Sequence, residues 1–311
     1  MMSRRQFLQW LTAAGVTGAA ASAYAFVIEP LLRLQITRYE LQPKRWPMGL
    51  DLTIAVLADI HAARPWMDAE RINAIVDQTN ELGADLILLL GDYVAGLLLK
   101  TSDVPAAEWA RALARLKAPL GVHSILGNHE YWEDLTVQRA GAGITYGQRA
   151  LEAVGIPVYV NEAVRLVHGG QAFWLAGLGD QVAFLPSRRA RPGQPYGVDD
   201  LSGTLSKVTD EAPTILLAHE PDIMVHVPER VSLVLSGHTH GGQLRLFGWS
   251  PVVPSQFGNR YAYGHVREQC DLIVSGGLGC SIMPMRFGVP PEIVVVSLRG
   301  QAAPENRRER I

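Results

Sequence analysis

Five short apolar runs, each halting at a polar motif, constrain this chain more than any other feature of its sequence. Residues 52–58 stop at Asp59-Ile60-His61, and residues 86–90 stop at Gly91-Asp92. Residues 122–126 stop at Gly127-Asn128-His129-Glu130, 214–218 at His219-Glu220-Pro221, and 231–236 at Gly237-His238-Thr239-His240. Runs that are apolar throughout, rather than alternating, read as strands covered on both faces. Helical spacing separates the first three. Within 68–82, Ile72, Ile75, Val76 and Thr79 share a face, with Asp68 as N-cap and Gly83 as stop. Within 104–118, Trp109, Leu113 and Leu116 form one stripe, with Pro105 near the first turn. Strand–helix–strand order predicts an α/β fold with parallel pairing and right-handed crossovers. Ligands of open α/β sheets gather at the carboxyl ends of the strands. All five motifs are therefore expected to meet along one edge of the sheet.

The gathered set is Asp59, His61, Asp92, Asn128, His129, His219, His238 and His240. It offers carboxylate oxygens, an amide oxygen and imidazole nitrogens, but no thiolate. Such donors suit Mn, Fe or Zn in a hydrolytic site. They exceed the needs of a single metal, so two are expected, with one carboxylate bridging them. Asp92, at the centre of the set, is the natural bridge. Two metals at roughly 3.5–4 Å lower the pKa of a shared water and clamp an in-line displacement at phosphorus. Any one of these motifs recurs by chance; the five in this order do not.

That order, Asp-x-His, Gly-Asp, Gly-Asn-His-Glu, His and Gly-His-x-His, resembles the calcineurin-like metallophosphoesterases over about residues 33–298. Within them the chain is similar to the small bacterial branch with an amino-terminal signal or anchor. The similarity lies in Gly237-His238-Thr239-His240-Gly241-Gly242-Gln243 and Arg286-Phe287-Gly288-Val289-Pro290-Pro291-Glu292-Ile293. The resemblance implies a four-layer α/β/β/α sandwich and hydrolysis of a phosphate ester at a dinuclear metal site with a bridging hydroxide. It implies that Asp59, His61 and His240 hold one metal and Asn128, His219 and His238 the other, with Asp92 bridging. His129 would protonate the leaving oxygen or steady the transition state; it is also the imidazole left over once the ligands are assigned. Ala58 departs from the Ser that relatives often carry there, and it touches no ligand. Some relatives are similar to UDP-diacylglucosamine pyrophosphatases, so a lipid-linked pyrophosphate is the alternative substrate. A catalytically silent, membrane-tethered binding module is a reading of another class, and no ligand is missing to mark it.

Ser3-Arg4-Arg5-Gln6-Phe7-Leu8 introduces an uncharged run over residues 6–28, longer than the ~20 residues that cross a bilayer core. It resembles a twin-arginine export signal, whose pathway carries folded proteins. Small-residue sites at Ala21-Ser22-Ala23 and Ala23-Tyr24-Ala25 suit cleavage. Uncut, the run is an anchor with its arginines on the cytoplasmic side. The expected partners are therefore the twin-arginine export machinery, the membrane and a phosphate ester. The expected place is the outer face of the cytoplasmic membrane, the cell envelope or the periplasm. The chain divides into the signal or anchor (1–28), a connector with a possible first strand (29–50), the metallophosphoesterase domain (51–300) and a polar tail (301–311).

Charge excludes one class of partner. Residues 49–298 carry 18 basic and 26 acidic side chains, a poor surface for tracking nucleic acid. Two cysteines, Cys270 and Cys280, rule out a disulfide framework and a four-thiolate zinc site. Arg188, Arg189 and Arg191 read as a solvated loop, and Asp180 as a weak support behind the ligands. His123, His168, His226 and His265 read as structural or exposed. Gly276-Gly277-Leu278-Gly279 lacks the lysine of a phosphate-binding loop.

Overall fold

The computed structural model describes residues 3–185 and 196–300; the three loop arginines and the 301–311 tail lie outside them. The chain begins with α1 (Arg4–Ala23), which continues through a π turn into α2 (Glu29–Leu32). It then forms β1 (Gln35–Leu41), β2 (Leu52–Leu57), the short β3 (Ala63–Arg64), α3 (Ala69–Glu81), β4 (Leu86–Leu89), the short β5 (Ser102–Asp103), α4 (Ala106–Leu113) and β6 (Val122–Ser124). Next come α5 (Asn128–Trp132), α6 (Leu135–Ala140), α7 (Tyr146–Ala153), β7 (Glu162–His168), β8 (Gln171–Gly177) and α8 (Leu201–Ser206). The last strands are β9 (Thr214–Leu217), β10 (Val231–Ser236), β11 (Gly264–Arg267), β12 (Asp271–Val274) and β13 (Glu292–Leu298).

The helical spacing of α3 holds to the residue. Asp68 caps it by accepting from Arg71 N, and its buried side chains are Ile72, Ile75, Val76 and Thr79. α4 is shorter than its sequence pattern, because Pro105 serves as the N-cap and the helix ends at Leu113. Trp109 on α4 is fully buried and stacks on Tyr93 at 5.3 Å. Truncating a side chain of that size in a core costs about 3–5 kcal/mol.

The expectation of one sheet edge needs correction. β2, β4 and β6 are parallel neighbours in a five-stranded sheet ordered β1-β13-β2-β4-β6. β9 and β10 belong instead to a six-stranded sheet ordered β11-β12-β10-β9-β8-β7. Within each strand the apolar residues face two ways. Ile54, Val56, Leu86 and Leu88 pack against Ile215, Leu217, Leu233 and Leu235 between the sheets. Ala55, Leu57, Ile87 and Leu89 face α3, α4 and α7. Leu216, Val234 and Leu272 face α8 and the turn at Pro221–His226. Four layers, α/β/β/α, result, and strands buried on both faces explain the unbroken apolar runs.

The helical segment Arg4–Leu32 is long and apolar enough to cross a membrane. α1 buries no residue, and Phe7, Leu8, Trp10, Leu11 and Val16 are exposed. A core helix would hide that face, so α1 is not one. Cys270 and Cys280 are free and buried.

Candidate metal centre

The five motif loops leave the carboxyl ends of β2, β4, β6, β9 and β10 and bring all eight candidate residues together. Asp59, His61 and His240 place one donor atom each within 4.8 Å of one another, as do His61, Asp92 and His129, and Asp92, His219 and His238. Asn128 joins them, its Oδ1 2.9 Å from His238 Nδ1. All are buried except His238, which is partly so.

The backbone is strained to achieve this. Asp59, His61, Asp92, His238 and His240 have φ of 54°, 47°, 55°, 69° and 51°. Non-glycine residues seldom adopt this left-handed region, at a cost of about 1–3 kcal/mol each, and they persist where surrounding bonds hold them. Here those bonds tie one loop to the next: Asp59 N donates to Gly91 O, His61 N to Asp92 O, and His238 N to Asp59 Oδ1. The aspartates thus position backbone as well as presenting oxygens. Asp92 Oδ1 accepts from His129 N at 2.9 Å.

Ring orientation follows from second nitrogens. His61 Nδ1 donates to Val94 O at 2.9 Å and His219 Nδ1 to Leu90 O at 2.6 Å. Their Nε2 atoms are left facing Asp92 Oδ2, at 3.5 and 3.2 Å. His240 Nδ1 lies 3.2 Å from Arg286 Nη2.

Burial and neighbours divide the proton affinities. Burial lowers the pKa of His61 to about 3, and it depresses His238 and His240 as well. Burial, aided by Asp92, raises Asp59 to about 7. Burial works the same way on Asp92 but is overridden by His219 and His129, which hold it well below the usual carboxylate range. His61, His238 and His240 are thus neutral imidazoles beside an ionised Asp92, as a metal requires, whereas at His219 burial is overridden by Asp92, which holds a proton there that an incoming ion must displace.

A family model described as calcineurin-like phosphoesterase matches residues 52–242. The chain belongs to that family. This phosphoesterase is similar to the metallophosphoesterase YkuE of Bacillus subtilis (strain 168), with 31% identity over 96% of this chain and 98% of the relative. It is similar to a metallophosphoesterase of Aquifex aeolicus, with 29% identity over 86% and 93% of the two chains. It is also similar to a transmembrane protein with metallophosphoesterase domain from Danio rerio, with 28% identity over 85% of this chain and 57% of that one. The chain is a phosphoric ester hydrolase of the metallophosphoesterase type.

The donor set of the phosphoesterase suits divalent metals on evidence internal to the site. Asp59 Oδ2 and His219 Nε2 are buried without a hydrogen-bond partner among the described residues. Buried polar atoms seldom remain unpaired unless a ligand or ion satisfies them. Both atoms belong to the converged set, whose oxygen and nitrogen donors match borderline and hard dications.

Three supporting side chains escaped the sequence reading. Glu130 accepts from Gly127 N, Asp92 N, Tyr93 N and Val94 N at 2.8–3.1 Å, stapling two motif loops together. Its place directly after the Asn-His pair was visible, but its role was not. Arg286 is fully buried, with its guanidinium bonded to Gly279 O and Val289 O. Glu220 is buried 4.0 Å from His238 Nδ1. Asp180 lies beside Glu220, and burial together with that neighbour raises its pKa well above the usual range. His123 bonds Tyr159 and Leu120 O, and His265 pairs with Asp271, away from the centre. Gly277 and Gly279 pack against Asp59 and Ile60.

Proposed function

We propose that the chain hydrolyses a phosphate ester at two divalent metals of the Mn, Fe or Zn type, held by two donor sets that share Asp92. Asp59, His61 and His240 take one ion, and Asn128, His219 and His238 take the other. The observation that carries this reading is the position of Asp92, whose Oδ2 faces His61 Nε2 on one side and His219 Nε2 on the other. When bound, two such ions would supply Lewis-acid charge and lower the pKa of a water enough to make it a nucleophile at neutral pH.

The chain's own residues supply the remainder. His129 borders a cleft of about 210 Å³ that also reaches Asp92, Asn128 and His240. Its ring packs edge-on to His61 at 4.8 Å, and its Nε2 stands 3.4 Å from Ser281 Oγ. Burial works against a proton on His129, but Asp92 and Glu133 more than offset it, and its pKa is raised. A proton held there, beside the cleft, is available to the leaving oxygen. Trp132, Val252, Pro254 and Ile282 line the same cleft and limit water around the reacting ester.

We assign residues 1–28 to a twin-arginine signal or membrane anchor, 29–50 to a connector with its first strand, 51–300 to the phosphoesterase domain and 301–311 to a polar tail. The domain then works at the outer face of the cytoplasmic membrane or in the cell envelope. The exposed apolar face of α1 supports this reading, as does the transmembrane character in the name of the Danio rerio relative.

The test is to assay the purified full chain against phosphomonoesters, phosphodiesters and lipid pyrophosphates with Mn, Fe, Zn or no added metal. Elemental analysis accompanies the assay. Two metals per chain and chelator-sensitive hydrolysis are expected. Full activity with one metal removes the bridging role of Asp92; bound metals with no hydrolysis favour the silent binding module.

A further inference from the structure

The apolar surface at the mouth of the cleft extends well beyond the residues that shield the reacting ester. Val252 and Ile282 line it, yet they are 73% and 59% exposed. Beside Ile282, whose carbonyl accepts from Leu98 N at 2.9 Å, Leu98 and Leu99 stand largely in the open. Next to Val252, a tight hairpin closed by reciprocal bonds between Leu246 and Trp249 presents Phe247 fully to solvent, with Trp249 more than half exposed. Phe247 and Ile282 have φ of 51° and 61°. An exposed apolar residue in the left-handed region is strained and hidden from water by nothing, a combination that points to function rather than packing.

Both tips are tied to the root of the amino-terminal helix, the leucine tip through Trp66, which donates to Leu99 O, and Arg71, which donates to Trp66 O and Pro30 O. Ala25 O accepts from Arg286 N at 2.9 Å, the Glu29 carboxylate accepts from Val289 N at 2.7 Å, and Tyr24 packs edge-on to Phe287 at 5.5 Å. Phe287 pairs in turn with Gln243 and Arg245, at the base of the hairpin. Only Arg33 and Leu34 separate α2 from β1. The part of the helix that buries nothing, α1, has 20 residues and is about 30 Å long at 1.5 Å per residue, which matches the ~30 Å of a hydrocarbon core. With no spacer and a root bonded to the domain, a helix that spans the bilayer must bring the tips beside its root down to the lipid. Charge agrees. Residues 94–100, 241–254 and 279–291 carry Lys100, Arg245 and the buried Arg286 and no acidic side chain, although the main body is acidic. An acid-free apolar surface suits an anionic membrane face.

We infer that the Phe247–Trp249 hairpin and the Leu98–Leu99–Ile282 tip insert into the bilayer entered by the amino-terminal helix. The cleft mouth then sits on the lipid surface and receives a phosphate ester borne on a lipid. The inference rests on the phosphoesterase reading and on the anchor being retained. It adds an orientation, and on geometric grounds it favours the lipid-linked class of substrate over a soluble ester.

The full chain is reconstituted into vesicles of phosphatidylcholine and phosphatidylglycerol. Leu246→Cys, Leu99→Cys and, on the far edge strand β7, Val167→Cys each carry an environment-sensitive fluorophore. Cys270 and Cys280 stay unlabelled, since burial pushes both thiols up. Spin-labelled lipid should quench the probes at 246 and 99 several-fold more than the one at 167. Equal quenching at all three overturns the docking. In a second arm, Phe247→Ser with Trp249→Ser should lower hydrolysis of a vesicle-borne phosphate ester about tenfold, an effect the loss of two inserted aromatic side chains readily covers. Hydrolysis of a water-soluble aryl phosphate should be unchanged. Equal losses on both esters overturn the lipid-surface substrate. A parent chain inert toward both esters refutes the phosphoesterase reading, and the quenching then decides the docking alone.

Discussion

The carboxylate of Glu130 grips the backbone of Asp92, its Oε2 accepting from Asp92 N at 2.9 Å while the same oxygen accepts from Gly127 N at 2.8 Å. One buried side chain thereby holds the loop that follows β4 against the loop that follows β6. That bond helps hold Asp92 at its φ of 55°.

Glu130→Gln should test that relationship directly. Each carboxylate oxygen accepts from two of the four N–H donors, and the amide nitrogen that replaces one can accept from neither, so two buried donors are left unpaired. A loss of about 2–3 kcal/mol in unfolding free energy is expected, in line with hydrogen bonds to a charged group. Urea denaturation measures it. A variant as stable as the parent would show that the two loops hold themselves in place.

Asp92→Asn and His129→Ala should separate binding from chemistry. Asp92 faces both donor sets, so its replacement should strip metal from the purified protein. His129→Ala should keep both metals and lose about 10²–10⁴ in kcat, the usual worth of a general acid. Elemental analysis beside steady-state rates distinguishes them. Empty sites in His129→Ala with filled sites in Asp92→Asn would reverse the assignment.

Gly127→Ala should disable the centre without disturbing the core. A Cβ there would meet Asp92 Oδ1 at 2.4 Å and His219 Cε1 at 2.6 Å. Both neighbours are rigidly held, so a donor must move. Metal content below half of the parent's, with an unchanged far-ultraviolet dichroism spectrum, is the expected outcome; full occupancy would mean that the loops are softer than their hydrogen bonds indicate.

Chelation should abolish hydrolysis and lower the melting temperature together, because ions bound by the folded state alone stabilise it by mass action. Restoring Mn, Fe or Zn should recover both. A melting curve indifferent to chelator would place the metals outside this buried set.

Arg4→Lys with Arg5→Lys keeps the amino-terminal charge and removes the guanidinium geometry. Folded, metal-loaded chain should then accumulate in the cytoplasm, read by cell fractionation. Undiminished export would make the segment an ordinary secretory signal or anchor, with the metals acquired outside.

What could be read from the sequence alone was what depends on near neighbours along the chain. Strands buried on both faces must be apolar throughout, so 52–58, 86–90 and 231–236 announced themselves. Their polar ends marked the chemistry, because a strand must leave the core where its ligands begin. Asp68 and Gly83 bounded α3 for equally local reasons. Tertiary structure alone decided that β9 and β10 stand in a different sheet from β2 and β4, since pairing joins residues far apart in sequence. It alone turned Glu130 into a staple, set Arg286 beside His240 and packed Phe287, at the base of the Phe247 hairpin, against Tyr24 at the root of an apolar helix. Each of those facts is a contact between distant segments, and side-chain identity does not specify a partner until the fold has placed one within reach.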